Sequence, residues 1–328
     1  MKYIDSQSLS PYYNLAVEEY ILKNFSLDEE FIFLWQNTPT IVVGNNQNTI
    51  EEINMKFVKD NNISVVRRMS GGGAVYQDSG NLNFTFFASV SENSRISMKK
   101  YAYPIVNALK DMGVPAEVSG RNDITVEGKK VSGNAQRIFK NKILHHGTLL
   151  FDSDLDVLEK SLKVRIDKIK SKGIKSIRSR VANISDHMPK KINMQSFQKI
   201  LLKYLFKGKE PEQYHMSEKD FNEINRLVKE KYATWNWNYG QSPNYTLKNS
   251  FRFSGGKFEC YLDVQNGIIQ NNKIHGDFLS VKDIADIEIE LNGKKYERET
   301  LANTLSKFDL ISYFGSISLE EILSVFFG

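Results

Sequence analysis

The chain has 328 residues, of which 41% are hydrophobic and 25% charged, and it contains 20 Gly and 7 Pro. These fractions are typical of a globular protein and exclude collagen-like and disordered chains. At about 150 residues per domain, the length predicts two domains. The net charge of +5 fits an anionic ligand but does not by itself indicate nucleic-acid binding.

Cysteine usage and hydropathy point to the compartment. Cys260 is the only cysteine in the sequence, so it cannot form a disulfide within the chain, and a Cys-rich zinc site is excluded. The N-terminus has no signal-peptide pattern, and no apolar run reaches the ~18 residues of a membrane helix. We therefore expect a cytoplasmic protein with no membrane partner.

The first third of the chain predicts mixed helices and strands. An amphipathic helix is expected over 13–25, with Glu18 and Glu19 on the side opposite its apolar residues. The apolar runs Phe31–Trp35 and Thr40–Val43 flank a turn at 37–39 and predict a β-hairpin. Further predicted elements are a helix over 51–61, strands at 64–68 and 83–87, and a helix over 97–112.

The remainder predicts more strands, then helices, then a small module. Strands are expected at 123–126, 130–131 and 146–151, and helices over 155–162, 196–206 and 217–232, with a basic loop over 163–180. Strand patterns at 251–253 and 258–264 precede helix starts at the capping-box pairs Ser280/Asp283 and Ser318/Glu321, the second introducing a helix over 319–327. We place the domain boundary so that the domains span 1–245 and 246–328.

The segment 67–78, RRMSGGGAVYQD, is the most informative for chemistry. Three consecutive glycines let a ligand lie against the backbone, and their N–H groups can form an anion nest. Arg67 and Arg68 add charged donors suited to phosphate oxygens. A glycine-rich hairpin with solvated arginines is the alternative. The pattern matches neither a P-loop nor a Rossmann loop, because no Gly-Lys-Ser/Thr string occurs and the segment leads into a strand.

A second segment brings a carboxylate and an ammonium near each other. If Glu127 and Gly128 form a two-residue turn, Thr125 pairs with Lys130 and Asp123 pairs with Ser132, so that Asp123 and Lys130 lie diagonally on one face. A three-residue turn would separate Asp123 from Lys130. Lysines at a hairpin tip are also commonly just solvated.

Paired histidines and tryptophans carry weaker signals. His145 and His146 are adjacent, so on a strand they point to opposite faces, which argues against a shared zinc ion. Trp235 and Trp237 are two residues apart, and we expect them on one strand face, packed in the core.

Taken together, these segments resemble the lipoate–protein ligase family, which is related in fold to biotin protein ligases. The motifs that carry the resemblance follow one order through nearly the whole chain: NLAVEE at 14–19, GxxQN at 44–48, RRxxGGGAVY at 67–76, GN at 80–81, GRND at 120–123, KVSGNAQ at 130–136, HGTL at 146–149, GIKSIRSRV at 173–181 and WxWxxGxxP at 235–243. The resemblance implies an α/β (α+β) fold with a large catalytic domain of mixed β-sheets and helices and a small C-terminal α+β accessory domain.

The resemblance implies an ATP-dependent ligase that converts lipoate to lipoyl-AMP and transfers the lipoyl group to a lysine of a carrier protein, either a glycine-cleavage H protein or an E2 domain. ATP and Mg²⁺ are the implied cofactors. The alternative is an ATP-independent octanoyl or lipoyl transferase of the same fold, although Cys260 lies far from Lys130 in sequence, which disfavours a cysteine nucleophile. A biotin ligase lacks support because its Gly-Arg-Gly-Arg type of loop is absent. A non-catalytic carrier or nucleic-acid-binding protein would not need the glycine segment together with Lys130.

The resemblance also assigns site residues. Lys130 takes the catalytic position. ATP or lipoyl-adenylate binding falls to Arg68, Gly73, Ala74, Val75, Tyr76, Asn122, Asp123 and Lys130, and lipoate binding to Ser70, Gly72, Lys130, His146 and Gly147. Mg²⁺ would be held through the phosphates, with Asp123 as a candidate ligand. Two positions depart from the family pattern: Asn45 replaces an Arg or Lys, and Gln77 replaces a His and cannot titrate near neutrality.

Overall fold

The computed structural model describes residues 1–5, 7–90, 97–163, 178–240, 247–265 and 267–327, with only the backbone at 50 and 51. Thirteen strands lie within these ranges: β1 (Lys2–Ile4), β2 (Phe31–Trp35), β3 (Thr40–Val43), β4 (Ser64–Arg67), β5 (Val75–Gln77), β6 (Asn81–Ser89), β7 (Ala116–Ser119), β8 (Asp123–Val126), β9 (Lys129–Phe139), β10 (Lys142–Leu150), β11 (Leu247–Phe253), β12 (Gly256–Gln265) and β13 (Ile268–Gly276). They form a seven-stranded sheet in the order β1-β2-β6-β10-β9-β8-β7 and two three-stranded sheets, β4-β3-β5 and β11-β12-β13.

Helices cover the sheets. In the described ranges they are α1 (Pro11–Asn24), α2 (Thr49–Glu52), α3 (Met55–Asp60), α4 (Met98–Asp111), α5 (Leu155–Ser161), α6 (Met194–Leu205), α7 (Glu218–Leu227), α8 (Trp235–Asn238), α9 (Ala285–Leu291), α10 (Arg298–Leu305), α11 (Leu310–Phe314) and α12 (Leu319–Phe327). A π-helical turn, Val228–Tyr232, continues α7, and 3₁₀ turns lie at Arg178–Arg180 and Ile184–His187. None of the described helices is long and apolar enough to cross a membrane.

The large sheet is buried on both faces. All five residues of β2 are buried, which explains why this strand reads as a continuous apolar run and not as an alternating one. Helix α1 packs on one face, and its N-terminus is fixed by Pro11 and by the Ser10 hydroxyl, which accepts from the Tyr13 N–H. Helices α4 and α6 pack on the other face.

The predicted hairpin over 31–43 is wrong. β2 belongs to the seven-stranded sheet, whereas β3 pairs with β4 in parallel and with β5 in antiparallel orientation in the second sheet. The chain crosses between sheets at 36–39, where the Asn37 side chain is buried and hydrogen-bonded. The expected helix over 51–61 is likewise two short helices, α2 and α3, interrupted at Ile53, whose side chain is buried.

The turn at Glu127 and Gly128 is confirmed, since both residues have positive φ (51° and 76°) and Thr125 pairs with Lys130. A bulge after Ile124 then shifts the register, so that Asp123 pairs with Gly133 and not with Ser132. The strand pairing was therefore predicted correctly at the turn and incorrectly beyond the bulge.

The C-terminal residues from Leu247 onward form a module with its own sheet, helices and apolar core. The capping box at Ser318 is confirmed, because the Glu321 N–H donates to the Ser318 hydroxyl and the Glu321 carboxylate accepts from the Ser318 N–H. The predicted helix start at Ser280 is wrong: α9 begins at Ala285, and the buried Ser280 side chain faces the N-terminal part of the protein. Most of the expected loop over 163–180 lies outside the described residues.

His145 and His146 point to opposite faces of β10, as predicted. His145 lies on the α4 side, stacked near Phe84 and Tyr101, with its two ring nitrogens within 3.2 Å of the amide side chains of Gln136 and Asn134. Burial lowers the pKa of His145 to about 3, so the ring is neutral in the folded protein.

We expect His145 to contribute acid sensitivity. An unfolded histidine takes up a proton below pH ~6.5, whereas folded His145 does so only near pH 3, so the stability from this residue is complete above the unfolded pKa and falls as the pH drops between these values. The slope is about 1.4 kcal/mol per pH unit. Urea unfolding of wild type and His145→Gln at pH 7 and pH 4.5 measures it, and an equal loss in both proteins would contradict the assignment.

Candidate active site

A cavity in which about 90 Å³ is accessible to the centre of a water molecule lies between the large sheet and the small sheet β4-β3-β5. Its walls come from the glycine-rich loop after β4, from β5 and from the central strands β6, β9 and β10. The cavity therefore lies where three separate sequence motifs meet.

Arg67 is a structural residue, and the prediction that it serves as a phosphate donor is wrong. It is fully buried, and its Nη1 donates to the carbonyl oxygens of Gly44, Asn45 and Gln47 at 2.9, 2.9 and 2.7 Å. Its Nε donates to the carbonyl of Trp237. Burial lowers the pKa of Arg67 to about 10, which leaves the side chain charged at neutral pH. Its donors therefore hold the segment 44–49 and the residues at 237–238 against β4.

Arg68 lines the cavity and shapes the glycine loop. Its Nη2 donates to the carbonyl oxygens of Gly71 (2.6 Å) and Gly73 (2.9 Å), and its Nε donates to the Ser70 hydroxyl (3.0 Å). Burial lowers the pKa of Arg68 to about 10, and nearby Glu18 opposes this effect. The Arg68 guanidinium thus fixes the conformation of the glycine loop by donating to three of its residues.

Ser70 and His146 belong to a buried polar chain that begins on α1. His146 Nε2 lies 2.6 Å from Ser70 Oγ, and His146 Nδ1 lies 2.9 Å from Glu18 Oε1. The Thr85 hydroxyl also donates to Glu18 and accepts from the Trp35 indole N–H. Because Ser70 already accepts from Arg68, its own proton is available to His146 Nε2, which favours the tautomer with hydrogen on Nδ1.

The two carboxylates of α1 are buried, which corrects the expectation that they face away from the core side. Glu18 is 1% exposed and Glu19 is 2% exposed. Glu19 accepts from Lys23, Lys231 and Tyr232 at 2.6–2.7 Å, and these partners keep its pKa below the usual value despite burial. Both carboxylates are hydrogen-bonded, as buried polar groups must be.

Lys130 stands at the rim of the cavity. Its Nζ lies 2.7 Å from Asp123 Oδ1, and both side chains are 36% exposed. A Cβ on Gly133 would lie 2.9 Å from this Nζ, so the glycine leaves room for the ammonium over the strand. The predicted meeting of Asp123 and Lys130 is confirmed, although the bulge places Asp123 opposite Gly133.

Asn122 is fixed beside this pair. Its Nδ2 donates to the Asn134 carbonyl, and Asn134 Nδ2 donates to the Asn122 carbonyl, at 2.7 and 3.0 Å. This reciprocal pair joins the segment before β8 to β9. The rim therefore presents one cation, one carboxylate and a fixed amide next to an apolar channel.

Most residues assigned from sequence meet at this cavity. Those that line it are Arg68, Gly72, Gly73, Ala74, Val75, Asn122, Lys130, His146 and Gly147. Ser70 lies behind the loop, in contact with His146. Tyr76 does not line the cavity: strand alternation turns its side chain into the core on the other side of β5. Residues that the sequence did not assign also line it, namely Leu15, Trp35, Val42, Gln77 and Asn83.

The tryptophans form a helical turn and not the predicted strand. Trp235 is 68% exposed, and Trp237 donates its indole N–H to the Arg67 carbonyl while Lys231 Nζ lies 4.0 Å from its ring centroid. Core packing is therefore wrong for Trp235. Trp237 therefore contacts β4 through a hydrogen bond to the main chain of Arg67.

The C-terminal module touches the glycine loop directly. The Gly72 N–H donates to the Phe278 carbonyl (3.0 Å), and Asn46 Nδ2 donates to the Ser280 hydroxyl (2.9 Å). A Cβ on Gly71 would lie 2.7 Å from the Ser280 nitrogen and 2.8 Å from the Phe278 oxygen. The absence of a side chain at 71 thus permits the contact.

Comparisons with known proteins agree with this arrangement. Residues 10–206 match the family model of the lipoyl protein ligase A/B catalytic domain, and residues 242–326 match that of the bacterial lipoate protein ligase C-terminus. The chain is 47% identical to lipoate-protein ligase LplJ of Bacillus subtilis, with full coverage of both chains, and 45% identical to lipoate–protein ligase 1 of Staphylococcus aureus, covering 98% and 99%.

Two solved structures are also similar. P. falciparum LipL1 in complex with lipoate has a TM-score of 0.84 at 29% identity and 98% coverage of both chains. A lipoate-protein ligase A bound with ATP has a TM-score of 0.62 at 26% identity, covering 73% of this chain and 97% of that one.

Alanine at Gly71 and Gly73 should have different effects. We expect Gly71→Ala to lower stability by about 1–3 kcal/mol because its methyl group overlaps main-chain atoms of the C-terminal module. Gly73→Ala is the matched control, since no heavy atom lies within 4 Å of its added Cβ, and it should change stability by less than ~0.5 kcal/mol. Thermal unfolding and amide exchange across 276–281 measure this difference. Equal behaviour of the two variants would refute it.

Proposed function

Because the chain belongs to the lipoyl protein ligase A/B family, we propose that it is an ATP-dependent lipoate–protein ligase. It activates lipoate as lipoyl-AMP and transfers the lipoyl group to a lysine of a carrier protein. The observation that carries the proposal is the Lys130 ammonium at the rim of an apolar cavity, paired with Asp123 at 2.7 Å. An acid with an apolar tail matches such a site, with its carboxylate at the cation.

In the first half-reaction, a lipoate carboxylate oxygen attacks the α-phosphorus of ATP. A bond forms between them, and the bond to the pyrophosphate oxygen breaks. The Lys130 ammonium neutralises charge on the carboxylate and the α-phosphate while keeping its own protons. Binding of these anions would compete with Asp123 for the ammonium.

In the second half-reaction, the neutral amine of the acceptor lysine attacks the acyl carbon, and AMP leaves with the electrons of the acyl–oxygen bond. The amine loses a proton as the amide forms. Lys130 is 36% exposed, so the rim is open to a side chain arriving from another protein. The same ammonium can stabilise the developing charge on AMP.

The nucleotide would lie along Gly73, Ala74 and Val75, near Asn122. No group of three or more His, Cys, Asp or Glu side chains is placed to hold a metal ion in the part of the chain that the structure describes. Magnesium–nucleotide sites often use one or two carboxylates together with phosphate oxygens, and Asp123 fits that requirement. Mg²⁺ would supply charge neutralisation at the phosphates.

Relatives support both substrates and the partner. Lipoate and ATP appear in the descriptions of the solved ligases named above, and an archaeal bipartite ligase described with its E2 lipoyl domain is 27% identical with a TM-score of 0.65. We take an E2 lipoyl domain or an H protein as acceptor, in the cytoplasm. The catalytic domain would span 1–245 and the accessory domain 246–328.

An ATP-independent acyl transferase is the second candidate. Its thioester branch needs a reactive cysteine, but Cys260 is fully buried in the C-terminal core, and burial raises the pKa of its thiol to about 12. This chain therefore has no suitable thiolate for that route.

Exchange of labelled pyrophosphate into ATP, dependent on lipoate, tests the proposal. Lys130→Ala should reduce the exchange rate by about 10²–10³, because a charge-stabilising donor is lost. Lys129→Ala is the matched control. The Lys129 side chain is exposed and does not line the cavity, so this variant should leave the exchange rate unchanged. Lipoate-independent exchange, or none in folded wild type, would argue against the ligase.

A further inference from the structure

The cavity runs across the large sheet along one row of neighbouring residues. The Gly133 N–H donates to Thr148 Oγ1, Thr148 is opposite Asn83, and Asn83 is opposite Trp35. Three strand spacings of about 4.8 Å give roughly 14 Å from Gly133 to Trp35. Lys130 Nζ sits over Gly133. An acid whose carboxylate meets Lys130 would therefore place its distal end near Asn83.

Asn83 and Gln77 form a reciprocal amide pair in this distal wall. Gln77 Nε2 donates to Asn83 Oδ1 at 2.8 Å, and Asn83 Nδ2 donates to Gln77 Oε1 at 3.3 Å. Gln77 is 3% and Asn83 1% exposed, and both line the cavity. In the distal half of this row, two side-chain amides thus meet in the wall beside the apolar channel.

The direction of these hydrogen bonds follows from main-chain atoms. Asn14 Nδ2 donates to the carbonyl oxygens of Ser8 and Gln36, which can only accept, so the orientation of the Asn14 amide is fixed. Asn14 also donates to Asn37 Oδ1, and Asn37 Nδ2 then donates to Gln77 Oε1. The two hydrogens of Asn14 Nδ2 are shared among three acceptors, and the orientations of Asn37 and Gln77 are those that continue this hydrogen-bond chain.

The hydrogen-bond partners of the Gln77 and Asn83 amides show which of their groups lack a partner. Gln77 Oε1 accepts from Asn37 and Asn83, and Asn83 Oδ1 accepts from Gln77 and Asn81, so both oxygens have two partners. Each amide nitrogen carries a second hydrogen, and neither hydrogen has an acceptor among the described residues. Among the described residues, the Gln77–Asn83 pair therefore has two N–H hydrogens without an acceptor, whereas both of its carbonyl oxygens have donors.

We propose that the Gln77–Asn83 amide pair determines acyl specificity by favouring a tail whose distal end carries a hydrogen-bond acceptor, such as a dithiolane sulfur, over a saturated hydrocarbon end. The inference rests on the proposed function, which places an acyl chain in this cavity. A ring sulfur is a weak acceptor for the two donors. A hydrocarbon end buries them unsatisfied, which is unfavourable.

The test separates the shape of the tail from its polarity. Three acids are compared by kcat/KM in pyrophosphate exchange: lipoate, octanoate, and the carbocyclic analogue cyclopentylpentanoate, whose ring replaces the dithiolane. We expect wild type to prefer lipoate over the carbocycle by about tenfold or more, the cost of burying an unsatisfied donor. Gln77→Met combined with Asn83→Leu should bring that ratio close to one.

Asn81→Ala is the matched control. Asn81 donates to Asn83 Oδ1 but does not line the cavity, so this variant weakens the amide chain without removing the two donors. It should lower the melting temperature and leave the substrate ratio near the wild-type value. A ratio that falls equally in both variants would assign the effect to general loosening and overturn the proposal.

Wild type alone keeps the proposal falsifiable if the double variant does not fold. Equal kcat/KM for lipoate and the carbocycle would overturn it while leaving the ligase activity intact. If wild type exchanges with no acid, the proposed function fails, and calorimetric titration of both acids then decides the inference: tighter binding of lipoate supports it, and equal binding overturns it.

Discussion

The burial of Arg67 is the interaction on which the rest of the site depends. One guanidinium gathers the carbonyls of the segment 44–47, the Thr49 hydroxyl and the carbonyl of Trp237, while its own backbone N–H donates to the Asn238 side chain. A buried charge is stable only when its hydrogen-bonding capacity is used. The glycine loop begins a few residues after Arg67 in the chain, so these contacts also fix the position of the loop.

Arg68 and Glu18 are two further buried, hydrogen-bonded side chains, and they lie next to the cavity. Arg68 holds the loop from inside, and Glu18 holds His146, which in turn meets Ser70. Glu18 also acts electrostatically on the Arg68 guanidinium and favours its charged form. Hydrogen-bonded polar residues therefore hold the wall of a largely apolar channel in place, and such a channel suits a ligand with one charged end.

The sequence allowed much of the fold to be predicted, because local signals matched local structure at helix α1, the turn at Glu127 and Gly128, and the cap at Ser318. Prediction from the sequence failed where contacts between distant parts of the chain determine the strand pairing. Nothing local indicates that β2 and β3 enter different sheets, or that a bulge follows Ile124.

The candidate site was predicted in part, for a similar reason. Gly72, Lys130 and His146 lie in continuous motifs and could be assigned, and their meeting at one cavity agrees with that assignment. Asn83 and Trp35 come from strands with no motif of their own, so only the pairing of β2 with β6 brings them to the cavity. Glu18 looked like a surface residue because a partner for its charge is 128 positions away in sequence.

The contact between the C-terminal module and the rest of the protein includes main-chain hydrogen bonds beside the side-chain pairs Asn46–Ser280 and Arg137–Asp283. The N–H groups of Gly72, Ile138 and Gly276 donate to the carbonyls of Phe278, Val281 and Asn46. Such bonds do not depend on which side chains the two surfaces carry, except at Gly71, where a Cβ would lie 2.7 Å from the Ser280 nitrogen. Away from that glycine, amino-acid replacements can therefore accumulate along this seam during evolution while its geometry persists, and the joint between the two parts should diverge in sequence faster than it changes in shape.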